Sequence, residues 1–138
     1  MSANVGAKDI VTDGLVLHLD AANYKSYTSG STTWTDLTIN RNNGTLTNGP
    51  GFNSGNGGSI VFDGVDDKIV GTAFTPNITN KTLQGWCKLS SITQQGGGLI
   101  NLQGAAGEPF DAIVYNETNN GWGFGSTGFT RTAWSGVK

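Results

Sequence analysis

The stretch Ser59-Ile60-Val61-Phe62-Asp63-Gly64-Val65-Asp66-Asp67-Lys68-Ile69-Val70 decides the fold class. Its two apolar runs, 59–63 and 67–70, have the length and the β-branched content of strands. The acidic segment between them is typical of a tight turn, because Asp bonds its own backbone and Gly accepts positive φ. This stretch therefore predicts two strands joined by a hairpin turn.

Short runs of the same kind recur outward from this stretch. From Leu15 the sequence has a period of two, so that Leu15, Leu17 and Leu19 would share one face of a strand. The other face would carry Val16, His18 and Asp20. We predict further strands at 83–89, 98–102, 110–115, 121–125 and 128–134, with turns at the Asn-Gly pairs 43–44, 48–49, 56–57 and 120–121. No window has a helical period. The pattern predicts an all-β sandwich or barrel whose core includes Leu15, Leu17, Ile60 and Phe62.

Length and charge exclude several classes of protein. The 138 residues suit one domain, which we predict over 14–138 after a polar N-terminal arm over 1–13. Eight Lys and Arg against ten Asp and Glu leave a net charge of −2, without the basic face of a nucleic-acid binder. No apolar run is long enough to insert in a membrane, and the N-terminus has no secretory signal pattern.

The residues that enzymes use are sparse. His18 is the only histidine, it lies within a predicted strand, and no Gly-x-Ser-x-Gly motif is present. A glycosidase needs two carboxylates that flank the scissile bond. The only two glutamates, Glu108 and Glu117, lie in a predicted loop and a predicted turn, and nothing in the sequence indicates that they form such a pair. The glycine-rich stretch 123–128 precedes a predicted strand rather than the helix that a dinucleotide site needs. The sequence therefore predicts a protein that is not an enzyme.

Calcium is the metal that this sequence could hold. Asp63, Asp66 and Asp67 cluster three carboxylates in one predicted turn, Asp36 could approach them, and calcium prefers such oxygen ligands. The alternative is that Asp63 and Asp66 bond the backbone amides of their own turn. Metal sites with several thiolate ligands are excluded, because Cys87 is the only cysteine.

One predicted strand, 83–89, carries a candidate ligand-binding surface. Trp86 shares a face with Gln84 and Lys88, and a ring between polar groups is typical of a sugar-stacking surface. Trp122 is a further candidate ligand-binding residue, and it shares a face with Phe124 in another predicted strand. The alternative is that each large aromatic fills the core. The opposite face of 83–89 is expected to be core and comprises Leu83, Gly85, Cys87 and Leu89.

Several motifs keep the order and spacing of a known family. They are Gly14-Leu15-Val16-Leu17-His18-Leu19-Asp20-Ala21, Thr33-Trp34-Thr35-Asp36-Leu37, Asn42-Asn43-Gly44-Thr45-Leu46, residues 58–67, and Gly85-Trp86-Cys87-Lys88. Over residues 14–134 the chain resembles the laminin-G-like, concanavalin A-like jelly-roll family, in the version found in virion structural proteins of tailed phages.

The resemblance implies a two-sheet antiparallel jelly roll that binds or scaffolds rather than catalyses. It implies a tail-fibre, adhesin or capsid-decoration protein on the virion surface, which contacts host glycans, other virion subunits or a copy of itself. Some relatives bind calcium at loop carboxylates. The alternatives are a carbohydrate-binding module of a secreted bacterial protein and a purely structural decoration. Family members usually continue with more strands, so we expect a fragment or sheets that a neighbouring chain completes.

Overall fold

The chain forms short antiparallel strands with almost no helix. The computed structural model describes residues 10–74, 80–93, 97–103, 110–115, 121–126 and 132–133. The chain divides into two compact units, Met1–Ile78 and Thr79–Lys138. The strands within the described ranges are β1 Thr33–Trp34, β2 Gly44–Thr47, β3 Gly51–Asn53, β4 Ser59–Val61, β5 Lys68–Gly71, β6 Gly98–Gln103, β7 Phe110–Tyr115, β8 Trp122–Ser126 and β9 Thr132–Ala133.

The predicted all-β class is confirmed. Every strand pair in the described ranges is antiparallel, and a 3₁₀ turn at Gly55–Gly57 is the helical element there. No helix in these ranges is long and apolar enough to cross a membrane. The arm over 1–13 and the single domain over 14–138 stay predictions, and residues 1–9 of the arm lie outside the described residues.

The first unit contains two separate ladders. One has the order β1-β2-β5 and places Leu46 opposite Ile69, with Leu46 buried. The other joins β3 to β4. The outer side of β5 faces no strand in the described part of the chain.

The predicted hairpin between 59–63 and 67–70 is wrong. β4 pairs with β3, whereas β5 pairs with β2, so the two runs belong to different ladders. Both runs pair with strands within residues 44–53. These two strands were not predicted, because their Gly, Thr and Asn residues show no apolar alternation.

The second unit is a four-stranded sheet in the order β6-β7-β8-β9. Its central strand β7 buries Ala112, Val114 and Tyr115. The Tyr115 hydroxyl donates to the Ile92 carbonyl at 2.8 Å, and its backbone N–H donates to the Gly97 carbonyl at 2.9 Å. These bonds attach the segment before β6 to the sheet.

Two predicted strands, 15–20 and 83–89, are not strands, although both alternate in sequence. Leu15 and Ile60 are half-buried as core positions, but Leu17 is 36% exposed and Phe62 is 48% exposed, which contradicts the prediction for those two. Residues 15–20 bond to a loop instead, as shown by the Leu37 N–H that donates to the His18 carbonyl at 2.9 Å. Apolar alternation in a sequence indicates which side chains would share a face of a strand. A strand forms only where its backbone also has a neighbouring strand to hydrogen-bond with.

Candidate functional site

Trp86 lies on an extended segment of the second unit and projects into solvent. Its side chain is 95% exposed, and Gln84 and Lys88 on either side are exposed as well. The predicted grouping of an aromatic ring with an amide and an ammonium group is therefore available at the surface. Such a ring can stack on an apolar sugar face or fill a pocket of a partner protein.

Two contacts hold this segment against the sheet of the second unit. A side chain on Gly85 would lie 3.2 Å from Ile100 and 3.5 Å from Leu99, so the backbone runs close over β6. Lys81, just before the segment, forms an ion pair with Asp111 of β7. The segment is thus packed on the sheet without joining its ladder.

The opposite face of the segment is not the predicted core. Leu83 and Leu89 are half-buried, but Gly85 and Cys87 are exposed. Packing beside the Cys87 thiol partly desolvates it and raises its pKa above the ordinary value of 9.0. Cys87 is therefore a neutral thiol near pH 7 and lacks the thiolate of a catalytic cysteine.

Trp122 does not share the exposure of Trp86. It lies in β8 opposite Tyr115 of β7, and the two rings meet edge to face with centroids 5.2 Å apart. Trp122 is half-buried, and this contact is the core packing that was the alternative interpretation. The ring contacts of the described residues include no Trp86–Trp122 pair. Phe124, two residues along β8, is 49% exposed.

The three acidic residues of the turn after β4 do come together. Carboxylate oxygens of Asp63, Asp66 and Asp67 all lie within 4.8 Å of one another. Asp63 accepts the backbone N–H of Val65 at 2.8 Å, and Asp67 accepts the backbone N–H of Asp63 at 2.9 Å. The Val65 N–H, with weaker help from its neighbours, lowers the pKa of Asp63 below 3.8.

This turn shows the self-bonded arrangement that was the alternative to a metal site. Calcium takes six to eight oxygen ligands, of which three carboxylates supply part. Two of the three, Asp63 and Asp67, already accept backbone amides of the turn. Calcium binding at Asp63, Asp66 and Asp67 stays a prediction.

Asp36 is a buried carboxylate whose role the sequence did not reveal. It is 0% exposed and lies apart from the acidic turn, so the predicted approach to Asp63, Asp66 and Asp67 is wrong. Its carboxylate accepts the backbone N–H groups of His18 and Thr38 at 2.9 Å and of Asn42 at 2.8 Å. The Thr38 hydroxyl donates to it at 2.7 Å.

Further bonds make Asp36 the centre of a network that ties three loop segments together. The Asn43 side chain accepts the Asp36 N–H at 3.0 Å, and the Asn42 side chain donates to the Val16 carbonyl at 3.0 Å. Burial raises the pKa of Asp36, but the hydrogen bonds led by Thr38 outweigh burial and lower it below 3.8. No local pattern in the sequence marks this network, because the partners of Asp36 lie on both sides of it in the chain.

Comparison with known proteins gives a likeness of fold. No family model matches the chain, and no curated protein matches it. A crystal structure of residues 221–444 of an S-layer domain-containing protein from Clostridium thermocellum is similar, with a TM-score of 0.56 and 22% identity. The match covers 80% of this chain and 56% of that fragment, so the chain spans little more than half of the fragment's length. At this identity the likeness shows the fold alone.

Proposed function

We propose that this chain is a non-enzymatic virion structural protein of a tailed phage, a tail-fibre, adhesin or capsid-decoration protein with a two-sheet jelly roll. The observation that carries the proposal is the 95% exposure of Trp86 between exposed Gln84 and Lys88. The phage assignment itself rests on the motif resemblance over residues 14–134. The proposed location is the virion surface, which is extracellular after release.

A Trp side chain in this position is suited to contact rather than to stability. Trp side chains bury about 150–250 Å² when they pack, and Trp is enriched among the residues that dominate binding energy. The Trp86 side chain is not buried in this way, whereas the backbone at Gly85 beside it lies close to β6. A rigid support under an exposed ring lowers the entropic cost of binding, and many copies on one particle would raise the apparent affinity.

The carboxylates of the described residues support a role without catalysis. Asp36 is buried and accepts four hydrogen bonds, and Asp63 and Asp67 accept backbone amides of their own turn. A general acid or base must instead reach the proton that it transfers. Glu108 and Glu117 lie outside the described residues.

The second candidate is a carbohydrate-binding module of a secreted bacterial protein. The observation that favours it is the structural neighbour, which is a bacterial S-layer domain-containing protein. In this candidate the surface around Trp86 also binds the glycan, but the chain is part of a secreted bacterial protein rather than of a phage particle.

A glycan array with three proteins tests adhesion: the wild-type chain, Trp86→Ala and the control Tyr24→Ala. Tyr24 is 79% exposed in the first unit, so its removal matches the loss of an exposed aromatic ring elsewhere. Adhesion predicts that binding is lost in Trp86→Ala and retained in Tyr24→Ala.

Alkylation of Cys87 tests scaffolding on assembled particles. Because Cys87 is exposed beside Trp86, a neighbouring subunit on this surface should slow its reaction with a maleimide relative to the free chain. A chain that binds no glycan and leaves Cys87 equally reactive in both states would overturn the proposal, and so would a chain that hydrolyses a polysaccharide.

A further inference from the structure

The first unit contains an open groove far from Trp86 in sequence. It lies between the turn at 28–31 and the connection from β2 to β3, and its volume is about 560 Å³. Sites for small ligands have volumes of about 300–1,000 Å³. The groove is therefore large enough for a ligand of a few rings.

One side of the groove is apolar and aromatic. Tyr27 and Leu46 line it as buried residues, 5% and 8% exposed. Phe52 is half-buried, and its ring centroid lies 5.3 Å from that of Tyr27 at a 41° tilt. Tyr27 supports the Phe52 ring from beneath, and the part of Phe52 that remains accessible offers an apolar surface in the groove.

The rest of the groove is polar and uncharged. Exposed Ser29, Thr32 and Asn48 bring hydroxyl and amide groups, which can both donate and accept hydrogen bonds. None of the described residues that line the groove carries a charge. Neutral donors and acceptors around an aromatic ring complement a ligand that has many hydroxyl groups, apolar ring faces and no charge.

The backbone around the groove is already fixed. The Ser31 N–H donates to the Thr28 carbonyl at 3.0 Å, and the Tyr27 hydroxyl donates to the Ser31 carbonyl at 3.1 Å. On the other side, Asn48 has φ +71° and its side-chain amide donates to the Asp66 carbonyl at 3.0 Å. A pre-formed site loses little entropy when a ligand binds.

The bond from Asn48 to Asp66 also connects the groove to the acidic turn. Residues 63–68 carry the carboxylates of Asp63, Asp66 and Asp67 against one ammonium group, that of Lys68. Their net negative charge repels an anion that enters the groove beside Asn48. The neighbourhood therefore favours uncharged ligands over acidic ones.

From this geometry we infer that the groove between Tyr27 and Phe52 is a binding site for uncharged saccharides, separate from the Trp86 surface. The inference rests on the proposed function, since it names a ligand class for a glycan-contacting protein. The ring of Phe52 stacks on the sugar, and Ser29, Thr32 and Asn48 bond its hydroxyl groups. A saccharide that bears a carboxylate binds more weakly because of the acidic turn.

The test is an NMR titration of the ¹⁵N-labelled full chain with maltose, cellobiose and lactose, and with 3′-sialyllactose as the anionic counterpart of lactose. We expect at least one neutral disaccharide to shift the backbone amides of residues 29–32 and 48–52. Sialyllactose should shift them less than lactose. Phe52→Leu, which keeps an apolar side chain but removes the ring, should weaken binding about 5- to 10-fold.

A second variant keeps the test decisive if Phe52→Leu disturbs the fold. Ser29→Ala leaves Tyr27 and Leu46 in place and removes one hydroxyl group that bonds the sugar, and it should weaken neutral sugars by about 5-fold. Tyr24→Ala, at an exposed residue that does not line the groove, is the control that leaves groove binding unchanged.

Three results would overturn the inference: no shift with any neutral disaccharide, shifts confined to residues 84–88, or shifts at 29–32 and 48–52 caused only by unlabelled virion subunits. If any one of these results is obtained while Trp86→Ala still abolishes glycan-array binding, the groove inference fails and the proposed function stands. If the array and the Cys87 alkylation are negative as well, both fail.

Discussion

The Asp36 carboxylate accepts the backbone N–H of His18 at 2.9 Å, although eighteen positions separate the two residues. The same carboxylate accepts the backbone N–H groups of Thr38 and Asn42. Because Asp36 is fully buried, these bonds replace the water that its charge would otherwise attract. One side chain therefore joins chain segments that share no ladder.

Replacing Asp36 should cost more stability than replacing any exposed acidic residue. Asp36→Ala leaves three backbone N–H donors without an acceptor, and we expect a loss of about 3 kcal/mol or more in the free energy of unfolding. Asp36→Asn keeps one acceptor oxygen and should lose about 1–2 kcal/mol. Urea denaturation measures both, with exposed Asp66→Asn as a control within about 0.5 kcal/mol of wild type. Equal midpoints for Asp36→Ala and the control would contradict the network.

Stability should fall in acid, and Asp36 should account for part of the fall. Hydrogen bonding lowers the pKa of Asp36 in the folded state below 3.8, so the unfolded chain binds the proton more readily. The stabilisation is present above the unfolded pKa and is lost as the pH falls through the folded pKa. Denaturation at a series of pH values should give a flatter acid limb for Asp36→Asn than for wild type. Parallel curves would exclude this role.

Gly58 should not tolerate a methyl group. Its φ is +133°, and an added Cβ would lie 2.6 Å from the carbonyl oxygen of Ala21. We expect Gly58→Ala to lower the free energy of unfolding by about 2 kcal/mol or more. Gly71→Ala is the matched control, because no atom lies within 4 Å of a Cβ at Gly71. Thermal unfolding of both variants decides the matter, and a similar loss in each would count against the close contact at Gly58.

Tyr115 and Trp86 should respond in opposite ways to truncation. Tyr115 is 1% exposed and packs against Trp122, so Tyr115→Ala should lose about 3–5 kcal/mol. Trp86→Ala removes a side chain that is 95% exposed and should stay within about 0.5 kcal/mol of wild type. Guanidinium denaturation measures the two losses. A large loss for Trp86→Ala would mean that its ring is buried in solution.

We expect calcium to leave the unfolding temperature unchanged, because carboxylates of the acidic turn already accept hydrogen bonds from its backbone. Asp63 and Asp67 accept backbone amides of the turn, and Asp63→Asn should lower the free energy of unfolding by weakening the bond that Asp63 accepts from the Val65 N–H. Differential scanning fluorimetry with calcium and with a chelator measures the first effect and chemical denaturation the second. A calcium-dependent rise in the unfolding temperature that disappears in Asp66→Asn would instead establish the predicted metal site.

The correctly predicted strands have apolar alternation in the sequence and also pair with a neighbouring strand in the structure. The apolar runs at β4, β5 and β7 were predicted within one or two residues of their ends. β2 and β3 were missed because backbone bonds, rather than apolar side chains, define them. Asn48-Gly49 and Asn56-Gly57 both have positive φ, as predicted for turns, whereas Asn43-Gly44 leads into β2.

The site could be predicted only where a side chain acts alone. A surface position for Trp86 is one of two interpretations that the sequence leaves open, and it follows from the polar neighbours Gln84 and Lys88 without knowledge of the fold. The groove between Tyr27 and Phe52 combines residues from a turn and a strand, and no local pattern marks their meeting. The same holds for Asp36, whose partners lie on both sides of it in the chain.

Within the described residues the outer side of β5 pairs with no strand, and this has a consequence for handling the protein. A strand edge of this kind accepts the backbone of another polypeptide, and Val70 of β5, which is 50% exposed, offers further apolar area. Lys68 is the one charge on that strand to oppose stacking. Concentrated stocks of the purified chain should therefore thicken or precipitate on storage, and dilute samples at low temperature should keep best.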